Sequence, residues 1–246
     1  MQTGIGADRE NQWRGVYLVG GIFGVLSLIF VIADIIIGTS LGGDLTVLPQ
    51  TAIERFAQFN QNPWQGLYHL DLLNTINQII SIPVYFALFA ALRRSNKPFA
   101  LFALIIFLIG STIFITNNAA LPMLDLSRKY AGAADAQKSL LAAAGEGLLA
   151  RGTHGSLGVF FGFFLSNIAA FLMSLVMLPG KVFSKLTAIL GTIGNFLMLI
   201  YIALVTFIPS TQQIAVVLAM PGGILLLVWM ILSTIRLFKI SKEMGE

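Results

Sequence analysis

Apolar residues run for more than 20 positions with few charges in six places along the chain, at 13–38, 65–92, 98–122, 153–178, 184–208 and 214–238. A helix needs about 20 predominantly apolar residues to cross the hydrocarbon core of a bilayer, so each run is long enough to span. The runs are continuous and lack the two-residue alternation of a membrane β-barrel. The expected fold class is therefore all-α: a polytopic membrane protein with six transmembrane helices, forming one domain over residues 1–246.

Between the runs, two polar stretches have an amphipathic reading. Residues 49–60 place Ile53, Phe56 and Phe59 on one stripe with Glu54, Arg55 and Gln58 elsewhere, and residues 133–149 carry Leu140, Leu141, Leu148 and Leu149 among Lys138 and Glu146. Both are expected to lie as helices at the membrane interface. There they serve either as ordinary interfacial packing or as a lid over an outward-facing cavity.

Composition agrees with a bilayer environment. Hydrophobic residues make up 57% of the chain and charged residues 11%. A soluble domain would carry about 25% charged residues. The net charge of +4 is explained by loop cations that orient helices, and no nucleic-acid partner is expected. Ten of the 15 basic residues, namely Arg9, Arg14, Arg93, Arg94, Lys97, Lys181, Lys185, Arg236, Lys239 and Lys242, fall on one side of the predicted topology. On the other side Arg55, Arg128, Lys129, Lys138 and Arg151 are balanced by Asp44, Glu54, Asp125, Asp135 and Glu146. The positive-inside rule then puts both termini in the cytoplasm. Cysteine is absent, which excludes disulfides, thiolate metal sites and a cysteine nucleophile.

Polar side chains inside apolar runs are the candidates for function, since a charge at the bilayer centre costs at least about 2.5 kcal/mol. The predicted depths bring Asp34, Asp71, Asn74, Asn117, Asn118 and His154 to the outer half of the membrane, together with His69. Asp71, Asn74, Gln78 and Ser81 share one helical face at spacings of three, seven and ten. The functional reading is a polar pocket, open to the outside, that binds a small molecule, ion or lipid and transports or senses it. The alternative is that these groups hydrogen-bond between helices and hold the bundle together. Asn167 and Asn195 lie near the middle of the fourth and fifth runs.

His69 and His154 are the only histidines. With Asp71 or Asp34 they would make a three-ligand zinc site with a hydrolytic metal-bound water. As a facing pair they would suit a bis-histidine haem, with Gly152, Gly155 and Gly158 leaving room for the macrocycle. Gly155, Gly158, Gly162 and Ser166 also form a small-residue face for close helix packing, as do Gly21 with Gly24 and Gly191 with Gly194. Pro83 is expected to kink the second run and Pro221-Gly222-Gly223 to interrupt the sixth.

Trp13-Arg14-Gly15-Val16 at the start of the first run, Phe183-Ser184-Lys185-Leu186 with Leu190-Gly191 at the start of the fifth, and the ending from Met220-Pro221 through Val228-Trp229 to Lys239 together resemble the DUF4386 family of bacterial membrane proteins. The resemblance implies a six-helix protein of the bacterial cytoplasmic membrane and brings with it no activity, cofactor or site residue.

Overall fold

The computed structural model describes residues 3–40 and 48–245, with the side chains of residues 3–11, 209 and 212 outside that description. Asp44 and the Arg9 side chain, both used in the charge count, therefore lie outside the described residues. Nine α-helices follow one another among the described residues: α1 (Thr3–Ser40), α2 (Ala52–Gln61), α3 (Pro63–His69), α4 (Leu72–Asn117), α5 (Ala120–Ala131), α6 (Asp135–Gly152), α7 (Leu157–Met177), α8 (Lys185–Phe207) and α9 (Gln212–Glu243). Five helical stretches among the described residues are long and apolar enough to cross a membrane.

The long α4 is a hairpin. Asn96 leaves helical geometry (φ −156°, ψ 88°), and its side chain accepts a hydrogen bond from the Phe99 N–H at 3.4 Å. Pro98 follows within the first turn of the second arm, where its missing N–H has no helical partner to lose. The arms then fold back antiparallel: Ser111 donates to Gln78 at 3.1 Å, and Tyr85 stacks on Phe107 with ring centroids 3.5 Å apart. Pro221 does not act as predicted, whereas Pro83 lies within helical backbone where its ring removes one N–H from the ladder. α4 keeps helical dihedrals through Pro83, and α9 runs unbroken from Gln212 to Glu243 through Pro221-Gly222-Gly223.

Glycines set the helix crossings, because a bare Cα lets two backbones approach closely. A Cβ at Gly158 would run into Asn117, one at Gly162 into Phe114 and one at Gly110 into Ser166, which seats α7 antiparallel on the second arm of α4. Gly21 meets Phe238 and Gly24 meets Thr234 where α1 crosses α9, while Gly191 meets Trp229 and Gly194 meets Leu226 where α8 crosses α9. The small-residue faces read from the sequence are helix contacts, except at Gly155, which precedes α7 in a turn and makes no close approach.

Two ends result. At one, the start of α1, the α4 bend, the α7–α8 turn and the end of α9 meet: the Arg93 guanidinium lies 3.6 Å over the Trp13 ring, Ser241 donates to the Arg14 carbonyl and Arg236 to the Val182 carbonyl. This basic end is packed by an apolar core that includes Leu88, Leu92, Leu104, Met173, Met177 and Trp229. At the other end α2, α3, α5 and α6 form a cap layer around Phe56, Phe59, Leu67, Leu70, Met123 and Leu149.

The cap layer departs from the predicted amphipathic pair. In α2, Phe56 and Phe59 are buried as expected, but Ile53 is 53% exposed and Arg55 only 4%. The helix turns about 100° per residue, so a stripe through positions 56 and 59 takes in 55 better than 53. α6 is not one-sided: Leu149 is buried, whereas Leu140 is 71% exposed. The second predicted span, from 65, takes in most of α3, and the third, to 122, runs three residues into α5, whose remainder was not predicted as a helix. The two cap helices separate from α4 because Asp71 adopts a left-handed conformation (φ 60°) between α3 and α4, and because Asn118 breaks helical geometry (ψ 125°) after α4.

The Gly162 contact gives a direct test. Gly162→Leu forces a side chain against the Phe114 backbone and is expected to destabilise the protein by about 1–3 kcal/mol, the usual range for overpacking. Gly147→Ala, in α6 with open space around it, is expected to be neutral or slightly stabilising. Thermal unfolding of the two detergent-solubilised variants compares them.

Candidate functional site

The cap layer and the helix ends beneath it enclose a cavity of about 680 Å³. Its walls come from residues 48–50, Arg55 of α2, His69 of α3, Glu146 and Leu149 of α6, the α6–α7 turn with His154, and Val205 and Thr206 near the end of α8. Each element is positioned locally. Thr51 and Glu54 cap the start of α2 reciprocally, and Glu146 of α6 reaches across to accept from the Ala52 N–H at 2.7 Å. Asn62 caps α3, with Pro63 at its first position. Gly155, at φ +83°, turns the chain from α6 into α7, where Ser156 caps the new helix.

The polar residues at this end form a chain of contacts. Asn74 donates to Asp71 at 3.2 Å, and Asp71 lies 3.7 Å from His154 Nδ1. The other ring nitrogen of His154 is 3.0 Å from the Tyr201 hydroxyl on α8. Asn74 also bonds to the Asp34 side chain, while Tyr68 donates to the Asp34 carbonyl at 3.0 Å. Burial, and then the nearby Asp34 carboxylate, push the Tyr68 phenol up to about 12, so it remains a donor. The structure thus brings Asp34, Asp71, Asn74 and His154 together and adds Tyr68 and Tyr201. Tyr residues so close to apolar segments carry no sequence signal that separates them from interfacial aromatics.

Of the residues read as pocket-lining, His154 lines the cavity and Asp34, Asp71 and Asn74 do not; three others lie outside this chain of contacts as well. Asn117 takes a hydrogen bond from the Arg151 guanidinium and donates to the Gly158 carbonyl, tying α4 to the α6–α7 junction. Asn118 donates to the Leu70 carbonyl at 2.7 Å and accepts from the Ala120 N–H, capping α5. Both bond between elements of the fold, and neither lines the cavity. Gln78 faces a separate chamber deeper in the bundle.

The metal set His69, His154 and Asp71 does not assemble. Among the described residues no three His, Asp or Glu side chains are placed to hold an ion. His69 instead turns its Nδ1 to Gln58, at 2.8 Å, beside the positive charge of Arg55, and His154 has both ring nitrogens engaged. The same engagement leaves no free nitrogen on His154 for a haem iron. Of the glycines read as haem clearance, Gly152 and Gly158 abut Asn117 and its neighbours.

Arg55 is the residue that sequence reasoning missed. It is nearly sealed, its Nη1 donates to Gln58 at 3.1 Å, and its Nε has no partner. Thr206 Oγ1, in the same wall, is also buried without a partner. A buried donor left unpaired by protein costs about 1–3 kcal/mol, which sets this wall apart from the hydrogen-bonded surroundings.

His69 makes this end sensitive to pH. Burial, and then the Arg55 charge, hold its imidazole below the ordinary range, so the folded state favours the neutral ring. That contribution is complete above about pH 6.5 and is lost as pH falls from there through the lowered value. Thermal unfolding between pH 7 and 5 should fall more steeply for the unsubstituted chain than for His69→Gln.

Comparison with known proteins gives one relationship. No curated protein and no solved structure matches the chain. A family model described as a domain of unknown function, DUF4386, matches residues 15–233, so the chain belongs to that family of multi-pass membrane proteins.

Proposed function

We propose that the chain is a single-domain protein of the bacterial cytoplasmic membrane that crosses it six times with both termini inside, and that its outward-facing cap cavity binds a small molecule bearing an anionic group. The α4 hairpin supports the sixth crossing, since its two arms run antiparallel about Asn96. The concentration of cations at the basic end supports the orientation. The exposed Trp64 of the cap layer suits the headgroup region on the far side.

One observation carries the binding reading: Arg55 is 4% exposed, lines the cap cavity and has an unpartnered Nε. A guanidinium presents planar donors matched to carboxylate or phosphate oxygens and stays charged even when buried. Glu146, in the same wall, has one carboxylate oxygen committed to the Ala52 N–H at the start of α2. His69 and Thr206 add further polar groups on the same wall. The bundle below serves to carry or report the binding event.

Two experiments test this. In the cysteine-free chain, Ser139→Cys should react with a membrane-impermeant maleimide in intact cells, and Ser95→Cys only after permeabilisation; the reverse pattern overturns the orientation. A panel of short carboxylates and inorganic phosphate should raise the unfolding temperature of the purified chain. Arg55→Gln should weaken that effect at least tenfold in half-saturating concentration, about 1.4 kcal/mol or more. No stabilisation of the unsubstituted chain by any member of the panel removes the anion reading.

A further inference from the structure

A second cavity lies in the middle of the bundle and shares no lining residue with the cap cavity. It encloses about 160 Å³ between α1, both arms of α4, α7, α8 and α9. An apolar cavity of about 150 Å³ engineered into another protein holds benzene, so the space suits an occupant of up to about six non-hydrogen atoms.

The lining mixes amides and hydroxyls with apolar side chains such as Val84, Phe107, Phe163 and Leu226, and it is uncharged. It includes Ser27, Asn77, Gln78, Asn167 and Asn195, with no Asp, Glu, Lys, Arg or His among the residues that form it. An ion here would find no countercharge, and a charge in the hydrocarbon core costs at least about 2.5 kcal/mol. A neutral molecule meets no such penalty.

The hydrogen-bond pattern points to an occupant. Elsewhere in the bundle, inward hydroxyls return to the carbonyl four residues back, as Ser174 does to Ala170 and Thr192 to Ala188. Ser166 and Ser233, both in the chamber wall, do not: each is more than nine-tenths buried and its Oγ has no partner. Asn167 and Asn195 each donate one N–H to their own helix, at Phe163 and Gly191, which leaves an amide oxygen and a second N–H for the chamber. The wall therefore offers donors and acceptors together.

We propose that this chamber is a binding site for a small neutral molecule that both donates and accepts hydrogen bonds, of the class of a short polyol or a primary amide.

The absence of native cysteine allows a direct test on the full chain. Ser233→Cys and Ser166→Cys place single thiols in the wall with little change of volume. Ser174→Cys is the sealed control, at a fully buried position outside the lining. Methyl methanethiosulfonate, which is neutral, should modify both chamber thiols at least tenfold faster than it modifies Ser174→Cys, and at least tenfold faster than a charged methanethiosulfonate modifies the same positions. Acetamide or ethylene glycol should slow the neutral reaction at least twofold, with elution and unfolding temperature confirming that each variant folds. If one variant misfolds, the other carries the test. In the unsubstituted chain, saturation-transfer NMR should show acetamide or ethylene glycol bound. Chamber thiols as inert as Ser174→Cys, equal reaction with the charged reagent, no protection by either competitor, or no saturation transfer overturns the proposal; in the last two cases the chamber holds water alone. Arg55→Gln should leave all these readouts unchanged, which separates this site from the cap cavity.

Discussion

Hydrocarbon offers no hydrogen bonds, so every polar group within the bundle must find a partner in the chain itself, and the architecture follows from that requirement. The faces turned outward on α1 are aliphatic, at Ile22, Ile29 and Ile36, whereas its one buried serine, Ser27, turns inward and donates to Asn77 at 2.7 Å. Tyr17 donates to the Ala90 carbonyl, and Thr112 and Thr116 return their hydroxyls to their own helix. Glycine at the crossings brings helices close enough for such bonds to form. Against this background an unpaired buried donor is conspicuous. Six such atoms occur among the described residues, and four of them, on Arg55, Thr206, Ser166 and Ser233, line the two cavities.

The cavities differ as their depths require. Ionisable groups gather under the cap layer, where water and neighbouring dipoles are within reach and where Asp71 is paired with His154. The polar groups of the central chamber are amides and hydroxyls, set among apolar side chains and without an ionisable carboxylate, amine, guanidinium or imidazole. This is the arrangement expected where the cost of a charge rises steeply toward the middle of the bilayer.

The apolar runs were legible because a membrane span announces itself by length and composition, without help from tertiary contacts. The breaks were less so. Nothing in composition marks Asp71 as left-handed or Asn118 as a break, so the second span ran back through most of α3 and the third ran on into the first turn of α5. Asp34, Asp71, Asn74 and His154 fall into one chain of contacts, of which His154 alone lines the cap cavity. Gln78 was grouped with them because it shares a face with Asp71, but seven residues rise about 10 Å along a helix, and a shared face is not a shared pocket. Asn117 and Asn118 share the right depth, yet their bonds go to helix ends that only the fold brings near. Arg55 was hidden because a charge on an amphipathic helix is ordinarily assigned to the solvent side. Its burial follows from α2 being covered by α5 and α6, which no local pattern conveys.

The first arm of α4 connects these levels. From Asp71 through Asn74 to Asn77, Gln78 and Ser81 it carries polar side chains over about 15 Å, half the thickness of the hydrocarbon core. Beyond Ser81 the character changes: Tyr85 stacks on Phe107, and Leu88, Ala91 and Leu92 join the apolar core of the basic end. The polar stripe of this arm therefore begins beneath the cap layer and stops at an aromatic floor. An open channel would need polar groups on both sides of that floor. A stripe on one side of that floor suits the proposed entry of a ligand from the capped end, and any passage to the basic end would require the Tyr85–Phe107 stack to part.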